Sequence, residues 1–169
     1  MRDNKNITAP PEFIVCIVED DQPLNQMIAS HMEISGFENV RSFVSGEDFM
    51  GFVKSNNVSV VIQDFDLPGM NGLEVIKQTK ALNPDIEFIF LSGQHKIEVA
   101  IEAIKEGAFD YVVKDTFAKE NVLNKIQQLL RIRKLEKQGG FLSRGIIWAA
   151  AFLLASWAFV VLYLMITRQ

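Results

Sequence analysis

Short apolar runs alternate with helix-spaced segments along most of the chain, and this alternation constrains the fold more than any other feature. The run Phe13-Ile14-Val15-Cys16-Ile17-Val18 is continuously apolar, rich in β-branched residues, and stops at acidic side chains. That is how a strand buried on both faces of a parallel sheet reads. Leu24, Met27, Ile28 and Met32 follow at helical spacing. A second strand is expected over Val40–Val44. A helix follows over Gly46–Lys54, entered through Ser45, which with Asp48 has the pattern of a capping box. A third strand is expected at 58–63, then a helix from Gly72 to Leu82 stopped by Asn83-Pro84. The fourth strand is expected at 86–91. Ile97, Ala100, Ile101 and Ile104 mark the next helix, which Gly107 ends. Asp110–Val113 reads as a fifth strand, and a last helix runs from about Ala118 toward Gln138, before Gly139-Gly140. Strands alternating with helices predict an α/β fold, a doubly wound five-stranded parallel sheet over residues 12–130, after a loose polar leader at 1–11.

Sheets of this kind carry their sites at the carboxyl ends of the strands. The residues expected there are Glu19, Asp20 and Asp21 after the first strand and Asp64 after the third. Ser92 follows the fourth strand and Lys114 the fifth. Carboxylates gathered on one edge repel unless one is protonated or a cation neutralises them. An all-oxygen donor set suits a hard divalent cation, and Mg2+ with retained waters is the natural candidate. Asp21 reads as a helix N-terminal charge. His31 and His95 lack metal-ligand spacing, and Cys16, the single cysteine, reads as a small buried hydrophobe. Carboxylates, a cation, a lysine and a hydroxyl together make a phosphoryl site in which one carboxylate can be the nucleophile.

Four motifs carry a family resemblance. Val-Glu-Asp-Asp at 18–21, the segment from Asp64 to Gly72, Leu-Ser-Gly at 91–93 and Asp-Tyr-Val-Val-Lys at 110–114 occur in order, each at the end of an expected strand. The chain resembles the receiver domain of bacterial response regulators over about residues 12–130. The resemblance implies a flavodoxin-like fold that takes a phosphoryl group from a histidine kinase or a phosphotransfer protein and is not a dedicated enzyme. It implies Asp64 as the phosphoacceptor. Asp20 would ligate Mg2+ directly, Glu19 through water, and the backbone carbonyl of Asp66 would be a further ligand. Ser92 and Lys114 would bind the phosphoryl oxygens. Tyr111 would be the switch residue that turns inward with Ser92, and Asp66 and Gln94 fall where the family tunes the lifetime of the phosphoryl group. Asp115 follows Lys114 where the family usually has proline. A cis Lys-Asp bond would cost about 2.5–4 kcal/mol, so the loop carrying Lys114 is expected to differ.

The distribution of charge separates this body from the C-terminal segment. Residues 1–130 carry a net charge of −9, and residues 131–169 a net of +5. The acidic body offers no basic face for nucleic acid, so no nucleic-acid partner is expected. From Gly145 to Thr167 there are 23 consecutive uncharged residues. As a helix they would span about 34 Å, enough for a hydrocarbon core of about 30 Å. A C-terminal transmembrane helix at 145–167 is therefore expected, after a basic extension and Gly-Gly linker at 131–144. Arg131, Arg133, Lys134, Lys137 and Arg144 precede the run and only Arg168 follows it, which places the N-terminal body on the cytoplasmic side of the cytoplasmic membrane. Ala151 and Ala155 have the small-xxx-small spacing that lets two such helices pack as a homodimer. The leading expectation is a receiver tethered to the lipid bilayer, signalling through contacts with an unidentified downstream protein or draining phosphate from a relay. Two alternatives stand beside it. One is a phosphorylation-independent pseudo-receiver at the membrane. The other is a haloacid-dehalogenase-like phosphatase that would use Asp64-Phe65-Asp66 as its D-x-D, though that family places the motif after its first strand.

Overall fold

The computed structural model describes residues 9–93 and 97–137. Two compact units divide the chain, residues 1–128 and 129–169. The first is a parallel five-stranded sheet in the order β2-β1-β3-β4-β5. Its strands are β1 (Ile14–Val18), β2 (Asn39–Phe43), β3 (Val60–Asp64), β4 (Glu87–Ser92) and β5 (Asp110–Val113). Between them lie α1 (Gln22–Ile34), α2 (Gly46–Val53), α3 (Gly72–Leu82) and α4 (Ile97–Lys105). Residues 118–137 are helical, and we call them α5. Among the described residues no helix is long and apolar enough to cross a membrane. The uncharged run at 145–167, Arg144, Ala151, Ala155 and the Gly139-Gly140 linker lie outside the described residues, as does Gln94.

The expected strands form within two residues of their expected bounds because their composition leaves no other burial. β3 is buried along its whole length and β1 from its second residue onward. Fully buried Phe88 and Phe90 of β4 pack with Cys16, Val18 and Val61 on one face of the sheet, against Phe49, Val75 and Ile76 of α2 and α3.

The helices differ from expectation in their faces. On α1, Met27 is exposed and Asn25 is buried beside Ile28 and Met32. On α4, Ala100 and Ala103 are buried while Ile101 and Ile104 lie half exposed. Alanine lets a helix lie close on a sheet, and the larger isoleucines are left outside. The helix starts are built by side chains, as orphan N–H groups require. Asp21 caps α1 by accepting from Leu24 N, the role expected of it. Ser45 caps α2, but its hydroxyl bonds Asp48 Oδ2 at 2.7 Å, so the reciprocal capping box is not formed there. It is formed at α3, by Asn71 and Glu74.

Gly72 opens α3 directly under the carboxyl end of β3. A Cβ there would lie 2.6 Å from the Asp64 carbonyl oxygen and 3.1 Å from Phe65 Cα. Backbone atoms cannot move aside cheaply, so Gly72→Ala is expected to cost about 1–3 kcal/mol by overpacking, measured by urea denaturation. An unchanged denaturation midpoint would show that the loop gives way.

Candidate functional site

Strand order decides where the side chains meet. The chain leaves β1 toward β2 on one side and returns to β3 on the other, so β1 and β3 flank the point where the winding reverses. Glu19 directly follows β1 and Asp64 ends β3. Ser92 ends β4 and pairs in register with Val113, so Lys114 leaves β5 at the same edge. Lys114 N donates to the Ser92 carbonyl at 2.8 Å, which holds the two strand ends together.

The sequence-expected residues Glu19, Asp20, Asp64 and Lys114 come together there. Lys114 Nζ lies 2.7 Å from Asp64 Oδ2 and 2.8 Å from Glu19 Oε2, and it donates to Glu19 Oε1 at 2.9 Å. Asp64 Oδ1 accepts from Asp66 N at 3.2 Å. Glu19 and Asp64 are buried and Asp20 is exposed. One carboxylate oxygen from each of Glu19, Asp20 and Asp64 lies within 4.8 Å of the others. No cis peptide bond occurs among the described residues, and Lys114 reaches both carboxylates with Asp115 in the place of proline.

Charge accounting shows what the cluster can hold. One ammonium faces three carboxylates, so a cation can still be accommodated. The donors are all oxygens, and exposed Asp20 keeps one side open to water, as Mg2+ requires. Burial pushes the Glu19 carboxyl up from 4.5 to about 7; the Lys114 hydrogen bond opposes that rise and the Asp64 charge adds to it. Burial also works against the Lys114 charge, but its bonds to Asp64 and Glu19 outweigh burial and hold its pKa above the ordinary value.

The Glu19 shift has a sign that can be tested. A carboxyl raised on folding binds its proton more tightly in the folded state. The stability this provides is whole below pH 4.5 and is lost as pH rises to about 7. Without divalent cations, the wild-type chain should lose about 1–3 kcal/mol across that window. Glu19→Gln should flatten the profile, measured by thermal unfolding at a series of pH values. Equal slopes for both proteins would count against the assignment.

Ser92 ends β4, the strand that pairs with β3, and Tyr111 lies on β5 in register with Phe90. Ser92 is buried, with its hydroxyl 3.4 Å from the Gly93 carbonyl. Half-buried Tyr111 lines a groove of about 370 Å³ with Ala100, Ile101, Ile104 and Lys105. Three further residues were not anticipated from the sequence. Buried Asn25 donates to the carbonyls of Glu19 and Phe43. Buried Gln63 donates to the Asp64 carbonyl at 2.8 Å. Glu47 accepts from Met70 N at 2.9 Å, tying the loop after β3 to α2. Only Asn25 left a signal, as a polar residue three and seven positions before buried Ile28 and Met32.

Residues 15–127, well over half of the chain, match the response regulator receiver domain family. The chain belongs to that family. The chain is 30% identical over 130 residues to the C4-dicarboxylate transport transcriptional regulatory protein DctD of Rhizobium meliloti, an alignment covering 77% of this chain and 28% of DctD. It is 32% identical over 127 residues to the response regulator protein TmoT of Ectopseudomonas mendocina, covering 75% of this chain and 57% of TmoT. Among solved structures, the BeF3-activated receiver domain of DrrB, a Thermotoga maritima protein, superposes with a TM-score of 0.63 at 27% identity, covering 70% of this chain and 97% of that one. The chain thus spans between about a quarter and three fifths of the two curated relatives. Receiver domains of this family are phosphorylated on aspartate, meet histidine kinases or phosphotransfer proteins, and bind Mg2+ at an acidic pocket. Membership sets aside the haloacid-dehalogenase-like alternative. The expected absence of a nucleic-acid partner finds no support in these relatives, since DctD is named a transcriptional regulatory protein.

Proposed function

We propose that this receiver accepts a phosphoryl group on Asp64 and does so tethered to the cytoplasmic membrane by residues 145–167. The observation that carries the first part is the contact of Lys114 Nζ with Asp64 Oδ2 at 2.7 Å, beside an acidic pair whose oxygens lie within 4.8 Å of an Asp64 oxygen. An Asp64 oxygen attacks the phosphorus of a phosphohistidine in line as the phosphorus–nitrogen bond breaks. Lys114 offsets the charge arriving on the phosphoryl oxygens. Asp20, Asp64, Glu19 through water, and the Asp66 carbonyl would hold Mg2+, which when bound neutralises charge on the transferring group. Ser92 binds a phosphoryl oxygen, and its movement draws Tyr111 inward. This alters the groove beside α4 that a downstream protein reads. The domain serves as a switch or a phosphate sink and not as a dedicated enzyme. Lys114 meets Asp64 with Asp115 in the place of proline, and this supports phosphorylation over a phosphorylation-independent binding role.

Asp66 and Gln94 set the lifetime of the acyl phosphate. The Asp66 charge lies next to the path of an attacking water, so Asp66→Asn should shorten the lifetime, measured as decay of label after the phosphodonor is removed. An unchanged or longer lifetime would exclude this role.

The tether rests on the 23 uncharged residues and their basic N-terminal flank. Incubation with acetyl phosphate and Mg2+ tests the phosphoacceptor, and alkaline washing of membranes tests the tether. The full chain should stay with the washed membranes, and a soluble full chain would refute the anchor. Pairing of two anchors through Ala151 and Ala155 would show as cross-linked dimers in the same membranes.

A further inference from the structure

Asn25 stands apart from the other buried residues of α1. It is 3% exposed, within a stripe shared with Ile28 and Met32, yet it is an amide. Its Nδ2 donates to the Glu19 carbonyl at 2.9 Å and to the Phe43 carbonyl at 3.0 Å. Both partners can only accept, so the amide nitrogen must face them and the orientation of the side chain is fixed. Its Oδ1 is then left buried without a hydrogen-bond partner. A buried polar atom left in that state weakens a fold, so this amide is costly as packing. A leucine would remove that orphan oxygen but would leave the Glu19 carbonyl without the donor it has here.

What the amide does is local to the acidic pair. Glu19 N donates to the Phe43 carbonyl at 3.1 Å, and the Glu19 carbonyl accepts from Asn25. The peptide groups on both sides of the Glu19 Cα are therefore held, one by the end of β2 and one by α1. Asp20 follows immediately, and Asp21 is fixed as the cap of α1. The backbone carrying Glu19 and Asp20 is thus clamped at each end, although Asp20 itself is exposed.

We infer that Asn25 is a positioning residue for cation binding: it fixes the Glu19-Asp20 backbone so that both carboxylates face Asp64 before a cation arrives. This rests on the reading of Glu19, Asp20 and Asp64 as the cation site. Outer residues that orient metal ligands are commonly worth about tenfold or more in metal affinity. A clamp acting through backbone should change the concentration of Mg2+ required and leave the rate at saturation alone.

The test uses the full chain in detergent micelles, with Mg2+ alone as the titrant in calorimetry and acetyl phosphate as the donor in kinetics. Asn25→Leu should weaken Mg2+ binding about tenfold, with the phosphorylation rate at saturating Mg2+ returning to within about twofold of wild type. Asn25→Ala, smaller than its site and a strong helix former, should shift the Mg2+ midpoint in the same direction. Thr79→Ala removes a buried hydroxyl that bonds Met50 Sδ far along α3. It should lower the melting temperature without moving that midpoint. Wild-type Mg2+ affinity in both Asn25 variants, or a rate that saturating Mg2+ does not restore, would overturn the inference. A wild-type chain that binds no Mg2+ would instead overturn the reading of the site, and this inference with it.

Discussion

Asp64→Asn is expected to abolish labelling of the chain by acetyl phosphate, to below about one hundredth of the wild-type rate. Asparagine keeps the size of the side chain at the end of β3, where Asp64 is 3% exposed. It replaces a nucleophilic carboxylate oxygen with an amide that cannot form a stable acyl phosphate. The same substitution removes one of the negative charges crowded with Glu19 and Asp20, so folding should survive it. Lys114 keeps Glu19 as its partner, at 2.8 and 2.9 Å. The expected pairing is therefore no label with a folded protein, read by radiolabelled acetyl phosphate beside circular dichroism. Label retained in Asp64→Asn would move the acceptor to another carboxylate, such as exposed Asp20, whose oxygen lies within 4.8 Å of Asp64. Unfolding of the variant would make Asp64 a structural residue first.

The sheet and most of the cluster were legible in the sequence, for a physical reason. A strand buried on both faces is mainly apolar, and polar side chains enter it at its carboxyl end. In this fold that boundary is also the site. Val18 to Glu19 is such an edge. What the sequence did not show depends on how elements pack. Met27 and Asn25 lie two residues apart on different faces of α1, and spacing puts Asn25 on the face of Ile28 and Met32, but only the approach of α1 to the ends of β1 and β2 gives the amide its carbonyl partners. Ile101 and Ile104 look like core residues by spacing. They stay outside because alanines at 100 and 103 already let α4 sit against its neighbours. The capping motif misled for a similar reason. Asp48 has one carboxylate to offer, and the Ser45 hydroxyl takes it before the backbone N–H can. The partner of Lys114 was the least predictable feature, since the family's proline is missing. Its length and flexibility make up the difference, bringing Nζ to both carboxylates from an ordinary trans loop.

Lys114→Met should move stability and phosphorylation in ways that a simple packing role cannot reproduce. The ammonium bonds two buried carboxylates, and its own side chain is only 24% exposed. Removing one member of a buried ion group leaves the others uncompensated and typically costs about 3–5 kcal/mol; partial exposure of Lys114 places the expected loss nearer about 2–3 kcal/mol in EDTA. Glu19, already pushed up to about 7, would take a proton as one outlet, so the loss should be larger at alkaline than at acidic pH. Divalent cation offers the other outlet. With the lysine gone the pocket is more negative, so Mg2+ should bind it more tightly. By mass action the same concentration of Mg2+ should then stabilise the variant more than the wild type. Phosphorylation should not recover, because the charge on the phosphoryl oxygens has lost its fixed counterion. The deficit should stay at about a hundredfold even at saturating Mg2+. Thermal unfolding in EDTA and in Mg2+, paired with acetyl phosphate kinetics, reads both effects. Equal stabilisation of the two proteins by Mg2+ would mean that Lys114 and the cation do not share the same carboxylates. Full recovery of the rate would mean that Lys114 acts only by holding the carboxylates together.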